Sequence, residues 1–361
     1  MGITRLPLSD FMALSHHHPV LDVRSPAEYQ HAHIPSAISF PLFTDEERKI
    51  VGTAYKQESK QKAIKWGLQF FGTRMASMVE AAEEIIAQHL LVNKELSPTG
   101  KHKILVHCWR GGMRSAGVAW LLDLYGFEVY TLAGGYKVYR NWVLQQFNLA
   151  YSFRMIGGCT GSGKTPLIHL LQKQGLAAID LEGIASHKGS AFGNLGMPPQ
   201  PSQEMFENIL AAELIKYSQS TTTPTPIWLE DESQRIGNIN IPGPIFTQMR
   251  SSPLYFLEIP FEERLQQIIR DYGAFSSELI IATITRIQKR LGGLETKMAI
   301  QHMQDNQLAD CFRILLKYYD KYYRGSLQNH RPASAAAIIT VTLEKVDAEN
   351  SCGLLIGSVT P

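Results

Sequence analysis

A glycine-rich segment at residues 158–165, GCTGSGKT, limits the possible folds of this chain more than any other feature of its sequence. It satisfies the pattern GxxxxGK[ST], follows the apolar run FRMI at residues 153–156 and precedes a helical pattern. In such a strand–loop–helix unit the backbone amides surround a phosphate group, while the lysine contacts a terminal phosphate. The motif therefore predicts an α/β fold with a phosphate-binding loop, or P-loop. Its predicted ligand contacts are Gly158, Gly161, Ser162, Gly163, Lys164 and Thr165.

An acidic segment later in the chain, IWLEDE at residues 227–232, has the form of a strand that ends in carboxylates. We expect Glu230 or Asp231 to lie near the bound phosphate and to hold a metal ion, directly or through water. Thr165 and Asp231 are the predicted ligands of a Mg²⁺ ion. The alternative is an acidic loop that follows a strand and has no metal role.

Short apolar runs alternate with helical patterns along most of the chain, which is typical of parallel α/β folds. The pattern restarts near residues 148–152, and 361 residues are too many for one ordinary core. We therefore predict two domains, residues 1–147 and 148–361. The predicted strands are residues 20–23, 104–106, 129–132, 153–156, 177–180, 227–230 and 254–259.

Composition and charge exclude several classes of protein. The 35 Lys and Arg residues against 33 Asp and Glu residues are not the signature of a general nucleic-acid coat, although a local basic groove can still bind RNA. The four cysteines form no CxxC pair, so neither a structural zinc site nor a disulfide framework is expected. No apolar run approaches the ~20 residues of a membrane span, and we recognise no signal peptide. We therefore expect a cytoplasmic protein without a membrane partner.

The segment CWRGGMRS at residues 108–115 lies between the predicted strand at 104–106 and a helical pattern. A loop that closes onto a helix N-terminus directs several backbone N–H groups toward its centre, where the helix dipole favours negative charge. Such a loop favours the thiolate form of Cys108, and Arg110 and Arg114 add cationic donors. We therefore predict that Cys108, Arg110 and Arg114 are catalytic. The alternative is an inert cysteine buried at a strand end.

Two segments on either side of this loop, LDVRSPAEYQHAHIP at 21–35 and LAGGYKVYRNW at 132–142, resemble those that flank the active-site loop of rhodanese-like domains. The resemblance covers residues 10–147 and implies a chalcogen-transfer domain with a parallel sheet. The sequence from His107 to Arg114 also satisfies the HCx5R pattern of cysteine-dependent phosphatases, and a common sulfurtransferase loop is one residue shorter. Phosphate-ester hydrolysis therefore stays an alternative activity for this domain. The matching positions that we expect to be structural are Asp22, Arg24, Glu28, His33 and Pro35.

Along its full length the chain resembles the tRNA 2-selenouridine synthase family. The resemblance rests on six segments in this order: CWRGGMRS, GCTGSGKT, HKGSAFG, PQPSQEMFE, LEDESQRIG and YYDKYY. It implies a rhodanese-like parallel-sheet domain followed by a P-loop NTPase-like α/β domain, with Cys108 as the catalytic cysteine. The last segment, at residues 318–323, is suited to stacking on an unpaired RNA base; its alternative role is an ordinary packed helix surface.

The family resemblance implies an enzyme that replaces sulfur by selenium at C2 of wobble 2-thiouridine, in the anticodon loop of tRNA. Selenophosphate is the implied selenium donor. The resemblance also implies that an S-geranylated intermediate, made from geranyl diphosphate, forms before the selenium transfer. No tightly bound cofactor is expected, and Mg²⁺ is an optional partner. The P-loop ligand stays open between geranyl diphosphate, a nucleotide and RNA phosphate. Two other classes also stay open: a cysteine-dependent phosphatase fused to a nucleotide-binding module, and a P-loop kinase or ATPase with an inert rhodanese-like module.

Overall fold

The computed structural model describes residues 2–92, 101–218, 225–329 and 337–357 of the chain. Contacts between Cα atoms divide the chain into two compact units, Met1–Gln145 and Gln146–Pro361. Each unit contains its own five-stranded sheet. The domains given above, residues 1–147 and 148–361, are parts of the chain that we expect to fold independently. That expectation stays a prediction.

The first unit is built on a sheet whose paired strands are all parallel. Its strands are β1 (Thr4–Leu6), β2 (Val20–Asp22), β3 (Ala37–Ser39), β4 (Lys103–His107) and β5 (Glu128–Leu132). They follow the order β1-β5-β4-β2-β3. The three inner strands were predicted from sequence, whereas the edge strands β1 and β3 are mostly exposed and lack a continuous run of buried apolar residues.

Helices connect these strands and cover the sheet. They are α1 (Leu8–Ser15), α2 (Pro26–His31), α3 (Asp45–Gln57), α4 (Lys60–Gly72), α5 (Met75–Val92), α6 (Met113–Tyr125) and α7 (Gly135–Gln146). Three of these helices, α3 to α5, follow one another without an intervening strand. The first of them starts where Thr44 accepts a hydrogen bond from the backbone of Glu47 and the Glu47 carboxylate accepts one from the backbone of Thr44, a capping box.

The centre of this sheet explains where its reactive loop lies. Ile104, Leu105 and Val106 on β4 have no exposed surface, as expected for a parallel strand covered on both faces. β4 lies between β5 and β2, and Cys108 follows directly at its carboxyl end. Ligands of open parallel sheets bind at this edge, so the fold presents Cys108 where a site is expected.

The second unit contains another parallel sheet and a short antiparallel hairpin. Its strands are β6 (Phe153–Gly158), β7 (Ala178–Ile179), β8 (Ile227–Glu230), β9 (Arg235–Ile236), β10 (Ile239–Asn240), β11 (Leu254–Glu258) and β12 (Ile338–Thr342). The sheet order is β12-β11-β6-β8-β7, and β9 pairs with β10. The prediction of two parallel-sheet α/β units is therefore confirmed.

The helices of this unit include three consecutive helices, α13 to α15, between β11 and β12 in sequence. They are α8 (Lys164–Lys173), α9 (Leu181–Ala185), α10 (Gln203–Ser218), α11 (Gly243–Ser251), α12 (Phe261–Tyr272), α13 (Ser277–Leu291), α14 (Gly293–Gln304), α15 (Leu308–Asn329) and α16 (Ala348–Gly357). In the part of the chain that the structure describes, none of the helices combines the length and apolar character needed to cross a membrane.

Strand order also positions the second site. β6 lies between β11 and β8, and Ile156 on β6 is paired with Glu230 on β8. The P-loop begins at the carboxyl end of β6, so the acidic end of β8 lies beside it. Two segments separated by more than sixty residues of sequence therefore meet at one edge of the sheet.

Candidate functional sites

The Cys108 loop ends at the first turn of α6. Cys108 is only 3% exposed, and its Sγ lies 3.2 Å from Oγ of Ser115. The Ser115 hydroxyl also lies 3.1 Å from the carbonyl oxygen of Gly112, the residue that precedes α6. The sulfur is therefore held at a helix N-terminus beside a hydroxyl that can donate a hydrogen bond to a thiolate, an arrangement suited to a nucleophile.

Backbone contacts with the N-terminus of α7 fix the shape of this loop. The amide of Tyr136 donates to the carbonyl of Cys108 at 2.9 Å, and the amide of Lys137 donates to the carbonyl of Trp109 at 3.0 Å. Gly135 has a φ of +62°, and a Cβ at this position would lie 2.3 Å from the carbonyl oxygen of Cys108. Only glycine permits so close an approach, which explains the second glycine of the LAGGYK segment.

The two predicted arginines occupy different environments. Arg110 is exposed on the loop, whereas Arg114 donates from Nη1 to Oε2 of Glu28 at 2.6 Å. Glu28 also accepts the backbone amide of Ser25 at the start of α2. Burial is the largest single influence and would raise the pKa of Glu28, but Arg114, the Ser25 amide and Arg48 together outweigh it and lower the pKa to about 2. Arg114 is thus anchored to α2, and its catalytic role stays a prediction.

Replacing Glu28 by glutamine is expected to lower the free energy of unfolding by about 1.5–3 kcal/mol, because a hydrogen bond to a charged partner is lost. The carboxylate's contribution is fully present above pH 4.5, its ordinary pKa, and is lost as the pH falls toward about 2. The difference between wild type and Glu28→Gln should therefore shrink over that interval.

Urea unfolding of the full chain, followed by tryptophan fluorescence, measures this effect, since four of the five tryptophans precede residue 146. Glu84→Gln, an exposed change on α5, is the matched control and should stay within about 0.5 kcal/mol of wild type. Equal stability of Glu28→Gln and wild type at pH 7 would contradict the anchoring of Arg114.

A buried charged pair helps to hold the strands next to the Cys108 loop. Arg24 donates from Nη2 to Asp22 at 2.6 Å, and its guanidinium lies 3.9 Å from the centre of the Tyr136 ring. Burial lowers the pKa of the adjacent His107 to about 4, although Asp22 opposes this change. The His107 ring is therefore neutral at neutral pH. All four side chains are buried, as expected for residues with a structural role.

The second site is the loop that connects β6 to α8. Gly158, Gly161 and Gly163 all have positive φ, which only glycine adopts readily. At Gly161 a Cβ would also lie 2.8 Å from the carbonyl oxygen of Arg264 on α12. Arg264 itself donates to the carbonyl of Thr160 at 3.1 Å. The loop therefore has the backbone form that its motif predicts, and α12 supports its tip.

Thr165 lies between two acidic side chains. Its hydroxyl is 2.8 Å from Oε1 of Glu230 and 3.0 Å from Oε2 of Glu182. The two carboxylates therefore lie close together. Because a hydroxyl has only one proton, Thr165 can donate a hydrogen bond to only one of them at a time. Burial first, and then mutual repulsion, raises the pKa of Glu230 well above its ordinary value.

Lys164 is the cation that faces this acidic group. Burial alone would lower its pKa, but Glu232, Glu182 and Glu230 act in the opposite direction and raise it. Burial and Glu182 in turn raise the pKa of Glu232 to about 8. A charged ammonium therefore lies beside several carboxyl groups that resist ionisation. Binding of a cation, or of a phosphate that carries one, would relieve their repulsion.

Both carboxylate oxygens of Asp231 accept hydrogen bonds from other residues. Its Oδ1 accepts from Nη2 of Arg250 at 2.5 Å, and its Oδ2 accepts from the hydroxyl of Tyr323 at 2.9 Å. The same Tyr323 oxygen accepts the amide of Gly158 at 3.2 Å. Asp231 thus ties α11 and α15 to the P-loop. The predicted Mg²⁺ ligation by Thr165 and Asp231 stays a prediction, and Glu230 is the carboxylate that the structure brings to Thr165.

The oxygen donors at this site are compatible with Mg²⁺. Among the residues described, no group of three or more His, Cys, Asp and Glu side chains is arranged to hold a metal ion. Mg²⁺ commonly takes only one or two protein oxygens and completes its shell with water and substrate phosphate. The Thr165 hydroxyl and the Glu230 carboxylate provide such a pair, so an ion would be shared with a bound phosphate.

The P-loop opens into a cavity of about 1310 Å³. Its wall includes four tyrosines of α15, Tyr318, Tyr319, Tyr322 and Tyr323, which belong to the YYDKYY segment. The lining also includes aliphatic side chains and several cations, among them Ile268, Ile287, Lys188, Arg235, Arg286 and Arg290, beside the carboxylates near Lys164. The cavity therefore joins a phosphate site to aromatic and apolar surface, as ligand cavities often do.

Several residues of this cavity were not expected from sequence. Glu182 follows β7, and only the strand order places it across from Glu230. The sequence signal that could have identified Glu182 is its position as a carboxylate just after the predicted strand at 177–180. All eight predicted P-loop and acidic residues lie at this edge of the sheet, with Gly158, Gly161, Ser162, Gly163, Lys164, Thr165 and Asp231 lining the cavity and Glu230 buried against Thr165.

The fold and the two sites define a class of protein that joins a rhodanese-like domain to a P-loop phosphate-binding domain. Two family models match accordingly: the rhodanese-like domain over residues 8–141, and the tRNA 2-selenouridine synthase AAA domain over residues 151–338.

Full-length relatives agree with these matches. The chain is 34% identical to the tRNA 2-selenouridine synthase of Sulfurovum sp. (strain NBC37-1), with 89% of this chain and 92% of the relative covered. It is 36% identical to that of Marinobacter nauticus, over 76% of each chain. Identity to the Shewanella pealeana protein of the same name is 32%, over 90% of this chain and 93% of that one. The chain belongs to the tRNA 2-selenouridine synthase family.

Proposed function

We propose that this protein replaces sulfur by selenium at C2 of wobble 2-thiouridine in tRNA, in two steps that use its two sites separately. Geranyl diphosphate first alkylates the sulfur at the P-loop cavity, and selenophosphate then supplies selenium at the Cys108 loop. The observation that carries the proposal is the presence of both a cysteine–anion loop and a phosphate cavity with apolar walls in one chain of this family.

The P-loop cavity supports the alkylation step. Its loop amides and Lys164 can bind a diphosphate, while Ile268, Ile287 and Tyr272 offer surface to a geranyl chain. A bound Mg²⁺ ion would add positive charge on the diphosphate. The tyrosines of α15 offer faces on which an unstacked anticodon base can pack. These features favour geranyl diphosphate over a nucleotide as the ligand of this loop.

The Cys108 loop supports the exchange step. The amides between Cys108 and α6 can hold the anionic selenophosphate, with Ser115 beside the sulfur. Cys108 attacks C2 of the S-geranylated base, and the bond from C2 to the geranyl sulfur breaks as geranyl thiol leaves. Attack of water on the phosphorus of selenophosphate frees selenide, which then displaces the Cys108 sulfur from C2. The balanced reaction consumes the S-geranylated base, selenophosphate and water, and it releases 2-selenouridine, geranyl thiol and phosphate. Departure of a thiol is easier than expulsion of sulfide from the unmodified base.

The proposal is tested by incubating the purified chain with 2-thiouridine tRNA, geranyl diphosphate and selenophosphate, and analysing the nucleosides by mass spectrometry. We expect 2-selenouridine, with the geranylated nucleoside as a transient. The same tRNA with uridine in place of 2-thiouridine is the control and should stay unchanged. Unchanged 2-thiouridine with active donors would contradict the proposal, and hydrolysis of an aryl phosphate by Cys108 would then be measured. Strong inhibition of alkylation by ATP would reassign the P-loop to a nucleotide.

A further inference from the structure

His187 lies on the wall of the P-loop cavity in a slot formed by two glycines. A Cβ on Gly193 would lie 2.6 Å from both Nδ1 and Cε1 of the imidazole, and a Cβ on Gly237 would lie 2.8 Å from its Cδ2. The ring is 8% exposed, and its buried Nδ1 has no hydrogen-bond partner in the described part of the chain. Nε2 is therefore the nitrogen through which His187 can reach a ligand.

The segment that carries His187 borders the phosphate site. The backbone amide of His187 donates to the carbonyl of Glu182 at 3.0 Å. Two residues further on, a Cβ on Gly189 would lie 2.5 Å from Oε2 of Glu232 and 3.1 Å from Oε1 of Glu182. Those carboxylates act directly on Lys164. A ligand that places its phosphate at Lys164 therefore has its remaining part within the cavity that His187 lines.

The environment of the ring keeps it uncharged. Burial is the main cause that lowers the pKa of His187, and the positive charge of Arg286 on α13 adds to it. The backbones of Gly193 and Gly237 pack against the ring, and Gln200 lies beside Gly237. At neutral pH the imidazole is thus a proton acceptor, and no carboxylate among these neighbours holds it in the charged form.

The alkylation step requires such an acceptor. Neutral 2-thiouracil carries a proton on N3, and its S-alkylated product carries none. As the S–C bond to the geranyl group forms, the C–O bond to diphosphate breaks, the electron pair leaves with diphosphate, and the N3 proton must be removed. We propose that His187 is the catalytic base of this step and takes the N3 proton on its Nε2, an inference that rests on the proposed alkylation at the P-loop cavity.

The test compares His187→Ala and His187→Gln with wild type, measuring the rate of geranylated nucleoside formation in the absence of selenophosphate. We expect both variants to be about 100-fold slower or more, the range for loss of a general base, with unchanged affinity for geranyl diphosphate. Free imidazole should restore the rate of His187→Ala but not of His187→Gln, whose side chain occupies the slot. Raising the pH should also speed both variants, because the 2-thiouracil ring then loses its N3 proton without a protein side chain.

The matched control is His302→Ala. His302 lies on α14, is not part of the cavity lining and contacts Oε1 of Gln307 at 2.6 Å, so we expect a rate within about 3-fold of wild type. A His187→Ala rate within the same range would overturn the proposal. So would a slow variant that neither imidazole nor higher pH restores, because the histidine would then be structural. If wild type itself forms no geranylated nucleoside, the proposed function fails first and this inference fails with it.

Discussion

The Cys108→Ala variant is expected to form no detectable 2-selenouridine, a loss of about 10³-fold or more in rate, because it removes the nucleophile of the exchange step. The other three cysteines, Cys159, Cys311 and Cys352, all lie in the second unit, so none of them belongs to the Cys108 loop. The geranylated nucleoside should accumulate instead, since the P-loop cavity is unaltered. A time course of nucleoside masses with both donors present measures both effects.

Cys352→Ala is the matched control for this loss. Cys352 lies on α16, is buried and contacts Gln174, so its removal alters packing but neither proposed site. We expect its rate of selenouridine formation to stay within about 3-fold of wild type. Thermal unfolding of both variants checks that they are folded. Selenouridine formed by Cys108→Ala at a rate near that of wild type would exclude Cys108 as the nucleophile.

The Lys164→Ala variant is expected to lose the alkylation step by about 10²–10³-fold, the usual cost of removing one preorganised charged donor. Lys164 is the cation next to Glu182, Glu230 and Glu232, so its removal takes away a phosphate contact and also leaves these carboxyl groups to repel an anion. Equilibrium dialysis of labelled geranyl diphosphate should show weaker binding in parallel with the rate.

Lys173→Ala is the control, because Lys173 is an exposed lysine in the last turn of the same helix. Its affinity for geranyl diphosphate and its alkylation rate should match wild type within about 2-fold. Loss of alkylation in both lysine variants would point to a general effect of charge on RNA binding. Unchanged binding in Lys164→Ala would remove the P-loop from the proposal.

The sequence could predict those parts of the two sites that are formed by local motifs. The P-loop and the Cys108 loop each consist of contiguous residues whose types fix a backbone shape, and glycines such as Gly161 and Gly163 are readable because few other residues take positive φ. The inner strands of both sheets were also predicted, since buried parallel strands are continuous apolar runs. β1 and β3 were missed because most of their residues are exposed, so they lack the continuous apolar run of a buried strand.

Contacts between distant segments were not predictable in the same way. The Thr165–Glu230 and Thr165–Glu182 contacts depend on β8 and β7 lying in that order beside β6. Sequence alone offered Glu230 or Asp231 beside the phosphate and named Asp231, with Thr165, as the Mg²⁺ ligand. The structure instead brings Glu230 to Thr165 and pairs Asp231 with Arg250 and Tyr323. The Arg114–Glu28 pair likewise joins α6 to α2 across many residues of chain.

The central claim is that one chain carries out two successive steps at two separate sites. The most direct measurement gives Lys164→Ala a tRNA that already carries S-geranyl-2-thiouridine, together with selenophosphate, and follows the nucleosides by mass spectrometry. We predict 2-selenouridine at a rate close to that of wild type, although the same variant fails on 2-thiouridine tRNA. Failure on the geranylated tRNA as well, with the variant folded and Cys108 intact, would contradict the separation of the two steps.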